Sequence, residues 1–224
     1  MLAPLDFFDL KEFAHADLFA DLTHVWEAID RLPEYLAKLF DISPDDLRND
    51  PARFRDLVQA SPEAMIEDGA ILLGPALIGP GSHLYAGSLV RGPIILGRDV
   101  IVGHGSEVRG SVLLNGATVP HLNYVGDSLL GAHVNLGAGS VCSSVKLGRG
   151  PVRVRVGDTE HDTGLERLGA VLGDRVELGC HVVLNPGTLI GPRTHIYPNA
   201  SLRGYYPQDH IIKVHQELQI VPRR

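Results

Sequence analysis

A six-residue repeat of aliphatic positions dominates this chain. Between residues 66 and 114 an aliphatic side chain returns at every sixth position, and a small or β-branched residue follows four places later. The aliphatic positions are Ile66, Leu72, Ile78, Leu84, Val90, Leu96, Val102, Val108 and Leu114. Six is the period of neither an α-helix nor an ordinary strand. The repeat therefore predicts an all-β fold, a parallel β-helix whose short strands form flat walls.

The repeat is interrupted twice. It returns at Tyr124, Leu130 and Leu136, and again at Leu172, Leu178, Leu184, Ile190, Ile196 and Leu202. The first gap, after Leu114, is ten positions long where six or twelve would keep the walls aligned, so residues 120–123 are expected to bulge outward. The second gap predicts an extruded loop at 142–167. Valines alternate with arginines over residues 152–156, which indicates a strand or arm lying against a surface.

Residues 1–65 differ from the rest of the chain and predict a small helical region. All six phenylalanines and the only tryptophan lie there. Helices are expected from Leu10, around Val25–Leu32, from a new turn at Pro33, and between Pro51 and Gln59. The aromatic face must pack on itself, on the side of the coil or on another subunit. A structural cap or oligomer contact is the favoured interpretation, with a substrate lid as the alternative.

The domain boundaries follow from the repeat. We expect a β-helix over residues 66–208 and a C-terminal tail over 209–224. A stacked coil exposes strand edges at both ends. The N-terminal helices and the segment from His210 to Arg224 are the expected covers.

The composition limits the partners of the chain. Its 25 glycines and 6% aromatic residues suit the corners and narrow interior of a coil. A net charge of −7 argues against nucleic acid or an anionic membrane as the main partner, although a local basic pocket is compatible with it. The two cysteines form no paired or metal-binding pattern. The first residues resemble no signal peptide, and no apolar run reaches transmembrane length, so a cytoplasmic location is expected.

Two adjoining motifs carry a resemblance to a known family. The segments HLNYVGD and GAHVNLGAGS are similar to the acetyltransferase domain of bifunctional N-acetylglucosamine-1-phosphate uridylyltransferase/glucosamine-1-phosphate acetyltransferase. The similarity covers residues 66–204. It implies a left-handed β-helix, a homotrimer with sites between subunits, and acetyl-CoA as co-substrate without a tightly bound metal. Residues 1–63 do not resemble the uridylyltransferase domain; they resemble the short helical segment of compact sugar nucleotidyltransferase-like relatives.

The resemblance also implies roles for individual residues. His121 falls on the catalytic base, and Ser144 on an asparagine that orients or polarises the reacting centre. The remaining positions are Arg91 and Arg109 for phosphate or uridyl groups, Tyr124 and Asn135 for the amino-sugar, and Ala138 and Cys180 for the acetyl-CoA channel. The chain departs from the family at Ser144, at Gly150 in place of a lysine, and at Cys180 in place of a serine.

The same residues make chemical sense without the resemblance. An amine attacks a thioester only when it is neutral, and imidazole is the natural base near neutral pH. Arg91 and Arg109 are eighteen residues apart, one full coil, so they should stack on one edge and suit a phosphate. Backbone N–H groups of the turn at residues 137–140 are the expected donors to a tetrahedral intermediate.

The sequence thus predicts an enzyme, an acetyl-CoA-dependent N-acetyltransferase. The expected acceptor is an amino-sugar phosphate or a nucleotide-linked amino-sugar such as a UDP-sugar. The alternative is a sugar-nucleotide-binding or assembly protein that keeps the pocket without acetyl transfer, and Ser144 is its best support.

Three further interpretations are weaker. A zinc site of the kind found in trimeric carbonic anhydrases would draw on His104, His121, His133, His181 and His195. Cys180 could act as a nucleophile. Arg149, Arg153 and Arg155 could hold a phosphate of CoA or of a nucleotide.

Overall fold

The computed structural model describes residues 2–223 and has the parallel β-helix that the repeat predicts, with the left hand that the resemblance implied and a small helical N-terminal region. Three parallel sheets, here walls A, B and C, run the length of the coil. Wall A contains β1 (Val58–Ala60), β4 (Ala76–Ile78), β7 (Ile94–Leu96), β10 (Val112–Leu113), β13 (Leu129–Leu130), β18 (Ala170–Leu172), β21 (Thr188–Ile190) and β24 (Tyr205–Tyr206). Wall B contains β2 (Met65–Ile66), β5 (His83–Leu84), β8 (Ile101–Val102), β11 (Thr118–Val119), β14 (Asn135–Leu136), β19 (Glu177–Leu178), β22 (His195–Ile196) and β25 (Ile211–Ile212). Wall C contains β3 (Ile71–Leu73), β6 (Leu89–Arg91), β9 (Glu107–Arg109), β12 (Tyr124–Gly126), β15 (Val141–Cys142), β20 (Val183–Leu184) and β23 (Ser201–Leu202).

The coil extends past both predicted boundaries. Its first strand is β1, which pairs with β4 eight residues before the predicted start at Ile66. Its last strand is β25, which pairs with β22 beyond the predicted end at 208. The segment 213–223 has no regular structure and is exposed. Of the expected cover from His210 onwards, the part in β25 lies on the coil as a strand, paired with β22.

The predicted bulge at residues 120–123 is wrong. Val119 and Val125 are both fully buried in the interior, six residues apart, so the segment between them is a regular corner. The register instead shifts at Gly110–Ser111. Before this corner Glu107 pairs with Leu89, eighteen residues away, and after it Val112 pairs with Ile95, seventeen away.

Two missing residues explain why the period was misread, because interior residues are five apart from Val108 to Leu113 and again from Val125 to Leu130. The first of these short corners is the one at Gly110–Ser111. The shortened corner moves Leu113 into the interior and turns Leu114 outward, because neighbouring strand residues face opposite sides. Both positions are leucines, so the aliphatic repeat carried on through the wrong one. The same shift makes Val125, not Tyr124, the inward residue of its strand.

The helical elements also differ from the expectation. The described residues form two α-helices, α1 (Glu27–Leu39) and α2 (Pro44–Asn49), with 3₁₀ turns at Pro4–Asp6, Ala16–Phe19 and Pro51–Phe54. Pro33 lies inside α1 rather than at a new start, and no helix begins at Leu10. Ser43 caps α2, its Oγ accepting from the Asp46 N–H at 3.3 Å. None of the helices within residues 2–223 is long and apolar enough to cross a membrane.

The N-terminal arm, residues 2–57, packs on the side of the coil. Its buried aromatic residues form one apolar cluster with the outward side chains of wall A, among them Leu77, Ile95, Leu129, Val171 and Leu189. The Asp174 carboxylate ties the arm down, since its two oxygens accept from the N–H groups of Asp9 and Ala132, each at 2.7 Å. Burial raises the pKa of Asp174 above its usual range.

The long insertion also lies on wall A. It forms an antiparallel hairpin of β16 (Arg153–Val156) and β17 (Thr159–Asp162). Val152 and Val154 are buried in the same apolar cluster as the arm, which confirms the surface-lying strand that the alternating valines predicted. Arm and insertion thus cover wall A, while many outward residues of walls B and C are half-buried or exposed.

We expect Phe8→Ala to destabilise the fold by about 3–5 kcal/mol, because Phe8 is buried between Phe7 and Phe19 over wall A. Urea unfolding measures the change. Leu5→Ala is the control, since Leu5 is 79% exposed and its loss should cost less than about 0.5 kcal/mol. Equal midpoints for the two variants would show that the arm is not part of the folded core.

Candidate functional site

Three of the predicted site residues stack on one corner of the coil. Between walls B and C, Leu122 N donates to His104 O at 3.2 Å and Gly139 N donates to His121 O at 3.0 Å, so each corner rests on the one before. Along this corner His121, Ala138 and Cys180 occupy the same position in successive coils, about 4.8 Å apart per coil. The predicted neighbours are therefore brought together although the predicted bulge is absent.

A buried asparagine fixes the conformation of the His121 corner. The Asn123 Oδ1 accepts from the His121 N–H at 2.9 Å, and its Nδ2 donates to Gly137 O at 2.8 Å. The Asn123 N–H donates to Ser106 Oγ at 3.2 Å. The imidazole of His121 is exposed and hydrogen-bonds to none of the residues described. Sequence reasoning missed Asn123, which alignment of the corners PHLN, GHGS and GAGS would have revealed.

The corner also carries backbone strain. Leu122 has φ +53° and is 67% exposed, whereas the matching positions above and below are Gly105 and Gly139 with similar φ. A residue with a Cβ costs about 1–2 kcal/mol in this region. An exposed leucine held there beside His121 marks the corner as one where stability is not the only constraint.

The turn at residues 137–140, one coil beyond His121, leaves one backbone N–H without an acceptor. Gly137 N donates to Leu178 O, Gly139 N to His121 O, and Ser140 N to its own turn at Gly137 O. Within residues 2–223 the Ala138 N–H has no acceptor. Of the donors expected at residues 137–140, the Ala138 N–H is therefore the one without an intramolecular acceptor in the described part of the chain.

Tyr124 and Ser144 converge on wall C above a glycine. A Cβ built at Gly126 would lie 2.7 Å from the Tyr124 hydroxyl and 3.0 Å from Ser144 Oγ. Any larger residue at this position would displace both groups. Ser144 is buried, so a short, enclosed hydroxyl lies where the resemblance implied an asparagine.

The two arginines stack as predicted. Arg91 and Arg109 are direct partners in the β6–β9 ladder at the edge of wall C. Each also faces a carboxylate: Arg91 Nη1 lies 3.1 Å from Glu107 Oε1, and Arg109 Nη2 lies 3.9 Å from Asp127 Oδ1. A guanidinium has five N–H donors, so these contacts orient the arginines and leave donors for an anion.

Asp127, which the sequence analysis did not predict as a site residue, is held at this edge in an energetically unfavourable state. It is 8% exposed, has φ +44°, and its Oδ2 is buried without a hydrogen-bond partner. A buried oxygen in this state costs about 1–3 kcal/mol. Within residues 2–223 its ion pair is with Arg109, which indicates that the carboxylate helps to position that guanidinium.

Asn135 stands apart from these groups within one chain. It lies on wall B, where its Oδ1 accepts from Thr118 Oγ1 at 2.6 Å. The predicted residues therefore occupy two walls and the corner between them, and the structure does not enclose them in a single pocket.

The histidines of the zinc alternative are dispersed. His104, His121 and His181 lie along the B–C corner, whereas His133 lies between walls A and B and His195 on wall B, in β22. Across residues 2–223 no group of three or more His, Cys, Asp and Glu side chains is placed to hold a metal ion.

Comparison with known proteins supports the resemblance carried by the motifs. The chain is 38% identical over 87 residues to a bifunctional sugar-1-phosphate nucleotidylyltransferase/acetyltransferase of Sulfurisphaera tokodaii, covering 39% of this chain and 22% of the relative. It is 32% identical over 111 residues to the bifunctional protein GlmU of Methanococcus maripaludis, covering 50% of this chain and 27% of the relative. The chain is similar to this class of bifunctional protein, of which it spans about a quarter. No protein-family model matches.

Among solved structures, the acetyltransferase domain of PglB from Neisseria gonorrhoeae has a TM-score of 0.42 at 14% identity, covering 77% of this chain and 71% of that one. PerB from Caulobacter crescentus, solved with CoA and GDP-perosamine, has a TM-score of 0.38 at 18% identity, covering 81% and 70%. At these TM-scores the likeness is a coarse one.

We expect the two cysteines to differ sharply in reactivity. Cys142 is fully buried, and burial raises the pKa of its thiol to about 12, whereas Cys180 is exposed. A thiol reagent at pH 8 should therefore label one cysteine in the native protein and two after unfolding. Native Cys180→Ser should not react. Labelling of two thiols in the native protein would contradict the buried position of Cys142.

We expect Asp127→Gly to weaken binding of a sugar phosphate such as glucosamine-1-phosphate by about tenfold, because the Arg109 guanidinium loses the carboxylate that positions it. The melting temperature should not fall. Glycine relieves the positive φ of this position and removes the unpaired oxygen. Calorimetric titration and thermal unfolding measure the two effects. Asp99→Gly is the matched control, since Asp99 has φ +57° on another corner. Equal loss of affinity in both variants would exclude a specific role for Asp127.

Proposed function

We propose that this protein is an acetyltransferase that moves the acetyl group of acetyl-CoA onto the amine of an amino-sugar phosphate or nucleotide-linked amino-sugar. The observation that carries the proposal is the corner where His121 and the free Ala138 N–H lie in successive coils. The similarity to bifunctional sugar-1-phosphate nucleotidylyltransferases/acetyltransferases supports the choice of reaction.

The proposed reaction uses the corner as follows. The imidazole of His121 accepts a proton from the acceptor amine as its nitrogen bonds to the thioester carbon. The carbonyl oxygen becomes an oxyanion and accepts a hydrogen bond from the Ala138 N–H. The C–S bond then breaks, and the CoA thiolate leaves and takes the proton from the imidazolium of His121. CoA would lie along the small side chains of Ala138 and Cys180.

The acceptor would be held on wall C. Arg91 and Arg109 would bind its phosphate, with Asp127 positioning the second guanidinium. Tyr124 would contact the sugar near Ser144. The position of Asn135 on wall B fits a site completed by a second subunit, because a neighbouring wall would close the open face between walls B and C. A homotrimer is the assembly that we propose.

A binding or assembly protein remains the second candidate, and Ser144 is the observation that favours it. A buried hydroxyl cannot reach as far as the amide of an asparagine, so orientation of the acyl group would depend on the Ala138 N–H alone. Such a protein would bind a UDP-sugar without turnover.

We expect His121→Ala to lower kcat by about 10²- to 10⁴-fold, the usual contribution of a general base. Release of the CoA thiol from acetyl-CoA should be followed with a panel of amino-sugar phosphates and UDP-amino-sugars. His104→Ala is the control, because His104 occupies the same corner one coil away and its Nδ1 is bonded to Ala86 O. Equal turnover in His121→Ala and wild type would remove the base from the mechanism. Retained UDP-sugar binding without turnover on any acceptor would establish the binding protein.

A further inference from the structure

A basic cavity of about 390 Å³ lies where wall C meets the long insertion. Three cationic side chains line it, Lys146, Arg153 and Arg203, and no carboxylate does. Such a concentration is unusual in a chain whose net charge is −7. Ser143 and Asn185, which directly follow strands β15 and β20 of wall C, add polar groups.

The fold holds two of these cations in place and leaves the third free. Lys146 Nζ donates to Pro151 O at 2.7 Å, which closes the loop over the cavity. Arg153 Nη1 lies 3.3 Å from Glu160 across the hairpin. Arg203 has neither a hydrogen bond nor an ion pair with any residue between 2 and 223, so its guanidinium keeps all its donors.

The cations around the cavity differ from the three arginines that the sequence suggested as phosphate ligands. Of Arg149, Arg153 and Arg155, only Arg153 lines the cavity. Arg155 Nε instead donates to Gly157 O at 3.1 Å. Lys146 and Arg203 replace the other two. Lys146 comes from the loop and Arg203 directly follows β23 of wall C, and no sequence spacing connects them.

The cavity shares an edge of the coil with the predicted phosphate arginines. The ladder of wall C places Arg109, Gly126, Ser143, Asn185 and Arg203 in successive coils. Four strand spacings separate Arg109 from Arg203, about 19 Å. Tyr124 and Ser144 converge between these two basic ends.

We propose that this cavity is a second anion site that binds the phosphate of a nucleotide. Lys146 supplies a point charge, and Arg203 supplies paired N–H donors that match phosphate oxygens. The amine and the thioester of the proposed reaction are neutral, whereas both co-substrates carry phosphates, so one anion site at each end would place the neutral groups between them. Phosphate binding itself does not depend on the proposed function, but the identity of the nucleotide does.

Calorimetric titration with adenosine 3′,5′-bisphosphate tests the site, with 5′-AMP and UDP as comparison probes. We expect Arg203→Gln to weaken binding of the bisphosphate by about 10- to 100-fold. Arg167→Gln should not change it, because Arg167 is an exposed arginine of the same insertion outside the cavity. Tighter binding of the bisphosphate than of 5′-AMP assigns the site to the 3′-phosphate of the donor. Arg203-dependent binding of UDP alone assigns it to the acceptor. Equal affinities in wild type and Arg203→Gln, or no binding of any probe, would overturn the proposal.

A second measurement separates failure of the cavity from failure of the transferase reaction. Acetyl-CoA and acetyl-3′-dephospho-CoA should differ in KM for the wild type and much less for Arg203→Gln, if the donor phosphate occupies the cavity. An unchanged KM ratio in the variant would exclude the donor while leaving the reaction intact. Absence of turnover with either donor would reject the transferase, and the titration would still decide the anion site.

Discussion

The backbone ladder between coils is the constraint on which the rest of this molecule depends. Each strand obtains its hydrogen bonds from the coils before and after it, so a residue is fixed above its partner at about 4.8 Å. Interior positions must then repeat along the chain, as Val108, Val125 and Cys142 do in neighbouring coils. Outward positions repeat as well. Equivalent outward side chains of successive coils therefore lie directly above one another, one strand spacing apart.

That constraint explains what the sequence could and could not predict. The coil itself was predictable. Each of its three walls directs one aliphatic side chain into the interior in every coil, and this produces the six-residue repeat in the sequence. The pairing of Arg91 with Arg109 followed from the same rule. The shift at Gly110 was not predictable, since Leu113 and Leu114 are equally apolar and only the ladder distinguishes them. The helix around Pro33 was misplaced because proline is tolerated in a helix whose inner face is held by tertiary packing.

The candidate site shows a similar division. Residue types and motifs pointed to His121 and the arginines, which carry distinctive side chains. They pointed to the turn at residues 137–140 but could not single out the Ala138 N–H, because its availability is decided by where the three neighbouring N–H groups donate. Asp127 was missed for a related reason: its significance lies in burial and an unpaired oxygen, neither of which a sequence records.

The uneven covering of the coil connects its fold to the proposed chemistry. The aromatic side chains of the arm and the valines of the hairpin pack against wall A. The B–C corner and wall C are therefore left open to ligands. The insertion does more than cover, because its loop also brings Lys146 and Arg153 to the edge that already holds Arg203. A straight coil keeps such groups at fixed multiples of one strand spacing. Under the proposed reaction, substrates of two different lengths would therefore be aligned by their phosphates, and the neutral reacting atoms would meet without any charged contact of their own.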